Sequence, residues 1–304
     1  MTSMKKRLVI FLVSLGVLFI LCVTTFLQHL TSENCIVVGS KNDTEGNILS
    51  EMIAQLIEVN LDIKVKREFF LEGTFICFNA LKTQQIDLYV EYTGTAYSAI
   101  LKKPVQGKTK EKIREELKQV FDEKYDMTWL SPLGFENSYV LLMRPDLSQD
   151  LEIETLSDLS KALKQRKDLK VAFDPEFFAR QEIEILQQKY TCTFSSLQLI
   201  EHALLYMTLK HSAVDVINGY ETDSETEGLV VLKDDGGYLP SYEAIPLVRK
   251  KLLQKVPNLE PLLKKLGGKI SSKQMRQMNY AVEKKGESIY DVAHTFLRQQ
   301  SLIN

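Results

Sequence analysis

From residue 35 onward the chain alternates short apolar runs with amphipathic stretches, and that order leaves few architectures open. Residues 35–39 (CIVVG), 63–69, 86–90, 139–143, 169–173, 213–218, 229–232 and 244–248 read as strands. Between them apolar residues recur at three- and four-residue spacing. Ile48, Leu49, Met52, Ile53, Leu56 and Ile57 share one helix face, and Ile113, Leu117, Val120 and Phe121 share another within 110–125. Further helices are predicted from Thr74, over 156–166, over 175–189 with Asp174 as cap, and over 197–210. A helical tail, 249–299, breaks at Pro257, at Gly267 and Gly268, and at Gly286. This order predicts an α/β protein with largely parallel sheets, which bind ligands beyond the carboxyl ends of their strands. At 304 residues the chain is too long for one small domain. No linker is rich in Pro or Ser, so two lobes joined by crossing strands are expected rather than two beads on a tether.

Ahead of this pattern, Lys5, Lys6 and Arg7 precede an uncharged run of twenty residues, 8–27. As a helix rising about 1.5 Å per residue, the run spans the ~30 Å hydrocarbon core of a membrane. The basic flank keeps its start cytoplasmic and exports the chain beyond residue 30. Val23, Thr24 and Thr25 make a poor cleavage site, and Leu21 is the wrong neighbour for a lipidated Cys22. An uncleaved transmembrane anchor is therefore favoured over a cleaved signal peptide, with residues 1–33 as the signal or anchor segment.

Several function classes drop out. Lys and Arg number 38 against 40 Asp and Glu, so the basic excess of a nucleic-acid binder is missing. The four Cys include no C-x-x-C and the four His no H-E-x-x-H, so no metal or other cofactor is implied. The three cysteines beyond the apolar run read as buried free thiols. Neither a phosphate-cradling Gly loop nor a nucleophile elbow is present, and Asp234-Asp235 reads as a solvated turn. No catalytic residue is nominated.

What remains is tyrosine at strand ends. Tyr92 follows the strand 86–90, Tyr139 opens the strand 139–143, Tyr220 follows 213–218, and Tyr242 precedes 244–248. Converging aromatic faces attract a quaternary ammonium, because the ring quadrupole favours a cation that cannot donate hydrogen bonds. Any one such tyrosine is ordinarily half-buried packing; four at strand ends point to a cation site.

Here the chain resembles a family. VVGSKNDTEGNILSEMIAQLIE, GTFICFNALKTQQIDLYVEYTGTA, LSPLGFENSYVLLMR, VDVINGYETDSE and DDGGYLPSYEAIPLVR are similar, in order, to stretches of the substrate-binding proteins of glycine betaine/choline (osmoprotectant) ABC transporters. The resemblance implies a type II periplasmic-binding-protein fold, two α/β lobes with a ligand cleft at the hinge. Lobe 1 would comprise residues 34–135 plus 234–304, and lobe 2 residues 136–233. It implies an ammonium cage of Tyr92, Tyr139, Tyr220 and Tyr242, and a carboxylate subsite of Lys41, Thr95 and Arg180. It also implies a periplasmic-side location, a betaine- or choline-class ligand, and an ABC permease with its ATPase subunit as partners. Departures occur where the family carries Phe (Asp43), Gly (Glu72) and Pro (Val90), and FDPEFFARQEIEI lacks the usual Asp-Gly after the Arg. Asp43 and Glu72 are expected to add negative charge near Lys41. A binder of another amino-acid derivative or a bulkier betaine, and a non-transport exported domain, remain as alternatives; an enzyme on this scaffold has no nominated nucleophile or base.

Overall fold

The computed structural model describes residues 35–105 and 107–304; the apolar run 8–27 lies outside the described residues. Among the described residues, no helix is long and apolar enough to cross a membrane. Ten strands occur there in chain order: β1 (Cys35–Lys41), β2 (Lys64–Leu71), β3 (Leu88–Tyr92), β4 (Met127–Trp129), β5 (Tyr139–Met143), β6 (Lys170–Phe173), β7 (Ser196–Leu199), β8 (Val216–Tyr220), β9 (Val230–Val231) and β10 (Ala244–Arg249). After β1, Asp43 starts the helix Thr44–Leu61: its backbone is extended and its carboxylate accepts the Gly46 N–H at 2.6 Å. That helix buries the apolar face read from the sequence and stops at Asp62, which turns left-handed with φ 53.

The strands form two five-stranded sheets, ordered β2-β1-β3-β10-β4 and β7-β6-β8-β5-β9. β1 is parallel to β2 and β3, and β6 to β7 and β8. β10 runs antiparallel to β3 and β4, and β5 antiparallel to β8 and β9. The sheets are thus mixed rather than largely parallel. The cause is topological: β5 and β10 each enter directly from a segment that passes between the sheets, with no helical crossover to reverse the chain. Those segments, 130–138 and 232–243, run side by side. Asn137 donates its N–H to the Tyr242 carbonyl at 3.0 Å, and Glu136 and Glu243 form an antiparallel bridge.

Three local readings change. Ser196–Leu199 is a strand and the following helix is His202–Lys210. Leu197 and Leu199 fit either period, and pairing with β6 decides the matter. The stretch 175–189 is two helices, Pro175–Phe178 and Gln181–Gln188, because Arg180 between them is extended (φ −96, ψ 163). β4 had no sequence signal, being a three-residue edge strand. Cys35, Cys77 and Cys192 are free, and burial pushes the Cys77 thiol up to about 12 and the Cys192 thiol up to about 11.

Behind the first sheet, Phe121 packs edge-on against Phe78, Tyr125 and Trp129, with ring centres 5.8, 5.2 and 5.3 Å away. Phe121 is fully buried. Phe121→Ala should therefore cost about 3–5 kcal/mol of unfolding free energy in a urea titration; a loss below about 1 kcal/mol would mean that this cluster does not hold the sheet.

Candidate functional site

Sheet register places the four tyrosines. Tyr139, first in β5, is the cross-strand partner of Tyr220, last in β8. Tyr92, last in β3, pairs with Ala244, so Tyr242 lies two residues beyond that pair on the crossing segment. Two rings thus come from each sheet. All seven residues expected from the sequence, Tyr92, Tyr139, Tyr220, Tyr242, Lys41, Thr95 and Arg180, line one cavity of about 390 Å³ between the sheets.

Tyr139 and Tyr220 stand 4.5 Å apart at 38°, with hydroxyls 2.7 Å apart, and Tyr242 meets Tyr139 edge-on at 6.2 Å and 81°. Tyr92 lines the same cavity and donates its hydroxyl to Glu45. Burial raises the pKa of all four phenols, Tyr220 to about 12. The rings are therefore neutral at pH 7, and what they offer a cation is their π faces.

Both cations that line the cavity are already paired. Lys41 is the last residue of β1, rather than lying just past the strand, and pairs with buried Glu91. Its Nζ lies 5.1 Å from the Tyr92 ring centre. Arg180 donates to the Tyr242 hydroxyl at 2.7 Å, pairs with Glu182 at 3.4 Å and Glu176 at 3.3 Å, and stacks 4.9 Å from the Tyr139 ring centre. Thr95 ends the short helical turn Thr93–Thr95 after β3. Of the departures noted in the sequence, Asp43 lines the cavity, whereas Glu72 is exposed and lies outside its lining.

Sequence reasoning missed a polar layer around the rings. Glu45 is buried, and its second oxygen accepts Asn279 Nδ2 at 3.1 Å. Asn279 also donates to the Thr222 carbonyl at 2.9 Å, so it ties the first-sheet wall to the second. Behind Tyr220, Asp223 accepts the Tyr220 N–H at 2.9 Å and lies 3.5 Å from His202, whose other nitrogen meets Asp174 at 3.0 Å. The Asp223 and Asp174 carboxylates hold His202 protonated, with its pKa raised to about 9. The available signal was a polar residue on an apolar face: Asn279 is buried beside Met275 and Met278. The lining carries five acids, Asp43, Glu45, Glu176, Asp223 and Glu283, against Lys41 and Arg180. A neutral aromatic enclosure with an acidic border suits a cation that cannot hydrogen-bond.

Residues 34–299 match the substrate-binding domain of ABC-type glycine betaine transport systems. The chain is 33% identical over 279 residues to the ergothioneine transport permease/ergothioneine binding protein of Helicobacter pylori, a match covering 90% of this chain and 49% of that protein. It therefore spans about half the length of that relative. It is 30% identical over 276 residues to the carnitine transport binding protein of Listeria monocytogenes, covering 89% of this chain and 88% of that one. A crystal structure titled glycine betaine/carnitine/choline ABC transporter superposes with a TM-score of 0.82 at 30% identity, over 88% of this chain and 100% of that one. The two-lobe α/β periplasmic-binding-protein fold is common to both.

Gly94 tests how tightly the rings are held. A Cβ there would lie 2.7 Å from Cδ1 and Cε1 of Tyr242 and 2.8 Å from the Ser241 carbonyl. Gly94→Ala should cost about 1–3 kcal/mol by thermal unfolding, as overpacked sites do. A variant as stable as the parent would show that Tyr242 moves aside freely.

Proposed function

The chain belongs to the family of substrate-binding domains of ABC-type glycine betaine transport systems, and from that premise we propose that it is the extracytoplasmic solute-binding component of an ABC importer. Members of the family serve transport and are not enzymes. The ligand proposed is glycine betaine or a related quaternary ammonium osmolyte. Its ammonium group would sit among Tyr92, Tyr139, Tyr220 and Tyr242, and its carboxylate would meet Lys41, Thr95 and Arg180. The observation that carries this reading is the convergence of four neutral tyrosine rings, two from each sheet, on one acidic-rimmed cavity. A ligand that touches both lobes binds the closed form better than the open one, and that difference drives closure. The lobes proposed are residues 34–135 plus 234–304 and residues 136–233. A permease and, through it, an ATPase subunit are the proposed partners; the Helicobacter pylori relative, named as permease and binding protein together, supports the first. Anchoring of residues 35–304 on the periplasmic side by the run 8–27 completes the proposal.

One observation favours a second ligand class, a bulkier betaine. The cavity continues past the rings to Asp43, Thr74 and Glu283, which leaves polar surface that glycine betaine does not need. The relatives named for carnitine and ergothioneine support the same direction.

Calorimetric titration with glycine betaine, choline, carnitine and ergothioneine tests both readings. Binding without turnover is expected for at least one of them. Each ring should contribute about 1–2 kcal/mol, so a Tyr→Ala change weakens binding about tenfold or more, while Tyr→Phe, which keeps the π face, is mild. Equal losses for Phe and Ala at all four positions would overturn the cage, and no heat with any of the four ligands would overturn the transport reading.

A further inference from the structure

Glu45 is the one carboxyl in the cavity wall that is both buried and held by groups from both sheets. It lies in the first turn of the helix Thr44–Leu61 and is 5% exposed. One oxygen accepts the Tyr92 hydroxyl, which sets the carboxyl at the edge of the tyrosine enclosure. The other accepts Asn279 Nδ2 at 3.1 Å, and the same amide reaches the Thr222 carbonyl on the far side. Among the described residues no lysine or arginine pairs with Glu45: Lys41 is paired with Glu91, and Arg180 with Glu182 and Glu176. A buried carboxylate with no cation is costly to ionise, so the empty cleft favours the neutral acid.

We propose that Glu45 is the counter-charge of the captured cation: wherever this carboxyl is still protonated, entry of the ammonium group ionises it and its proton leaves for the buffer. This rests on the transport reading above and extends it to the charge balance of capture. The neutral carboxylic acid gives its proton to water, the carboxylate remains beside Tyr92, and the ligand's fixed positive charge replaces the proton's. Burial pushes the Glu45 carboxyl up to about 7, opposed by hydrogen bonds from Thr222, Tyr92 and Asn279 and reinforced by Asp43. The groups around it are Asp43 from its own cap, Lys41 from β1, Tyr92 from β3, Thr222 and Asp223 after β8, and Asn279 and Glu283 from the helix Ser272–Glu283. His202, which meets Asp223, keeps its proton from pH 6 to 8 because its pKa is raised to about 9.

A bound cation lowers the Glu45 pKa, so below pH 7 binding must expel the proton, and affinity falls as pH falls. For a group titrating near 7, release is roughly 0.9 proton per ligand at pH 6 and roughly 0.1 at pH 8, and affinity rises about tenfold between them. Glycine betaine and choline do not titrate in this range. Calorimetry of the full-length protein with each ligand, in phosphate and in bis-tris at pH 6 and again at two buffers near pH 8, reads the proton count directly. Glu45→Gln should abolish the release, flatten the pH dependence and leave affinity below the parent's at pH 8. Should that variant fail to fold, the parent's proton count decides alone. A merely structural Glu45 would change affinity in the variant but release no proton from the parent. Binding at pH 6 with no proton exchange overturns the proposal while the transport reading stands; no binding at either pH overturns both.

Discussion

The antiparallel contact between the two crossing segments is the constraint on which the cavity depends. Asn137 hydrogen-bonds the Tyr242 carbonyl, Ser138 Oγ accepts the Tyr242 N–H at 3.2 Å, and Ala244 reaches the Phe135 carbonyl at 3.3 Å. These bonds place the start of β5 beside the start of β10. Because Tyr139 begins β5 and Tyr242 precedes β10, a backbone contact between the sheets becomes a side-chain contact between two rings. Register then brings in the other two, Tyr220 opposite Tyr139 and Tyr92 opposite Ala244. Rotation of one sheet relative to the other about residues 130–138 and 232–243 would separate the rings in pairs, which is what a cleft that senses its ligand requires.

The basic groups around the rings are all held by acids, and the acids outnumber them. Lys41 is paired with Glu91, Arg180 with Glu182 and Glu176, and His202 with Asp174 and Asp223. Such pairing holds the walls in place and discourages a bare inorganic cation, whose hydration the rings cannot replace. Glu45 differs in being buried with only neutral hydrogen-bond donors, the Tyr92 hydroxyl and the Asn279 amide, which is why it is proposed as the counter-charge of the ligand. The paired state of Lys41 and Arg180 also makes the anion end the weaker half of the proposed site, since a ligand carboxylate must share its cations with existing partners.

Much of this was legible in the sequence because it is local. The apolar face of the helix Thr44–Leu61, the strand 139–143 and the breaks in the C-terminal helices derive from periodicity, Gly and Pro. Strand-end tyrosines could be named because chain order alone puts a residue at a strand end. What escaped was decided by distant partners. β7 is a strand because β6 lies beside it, and β4 exists only as an edge added to β10. Arg180 breaks a helix that periodicity carried through it, while making contacts to Tyr242 and Glu182. Glu45 and Asn279 are 234 residues apart, and no spacing rule connects them.

Whether one cation is shared by rings from both lobes is decided by a crystal structure of the protein with glycine betaine. The ligand nitrogen is expected within about 6 Å of the centres of Tyr92, Tyr139, Tyr220 and Tyr242 together, in van der Waals contact with both sheets. A nitrogen lying against one lobe only, or outside the four rings with Arg180 still stacked on Tyr139, would contradict it.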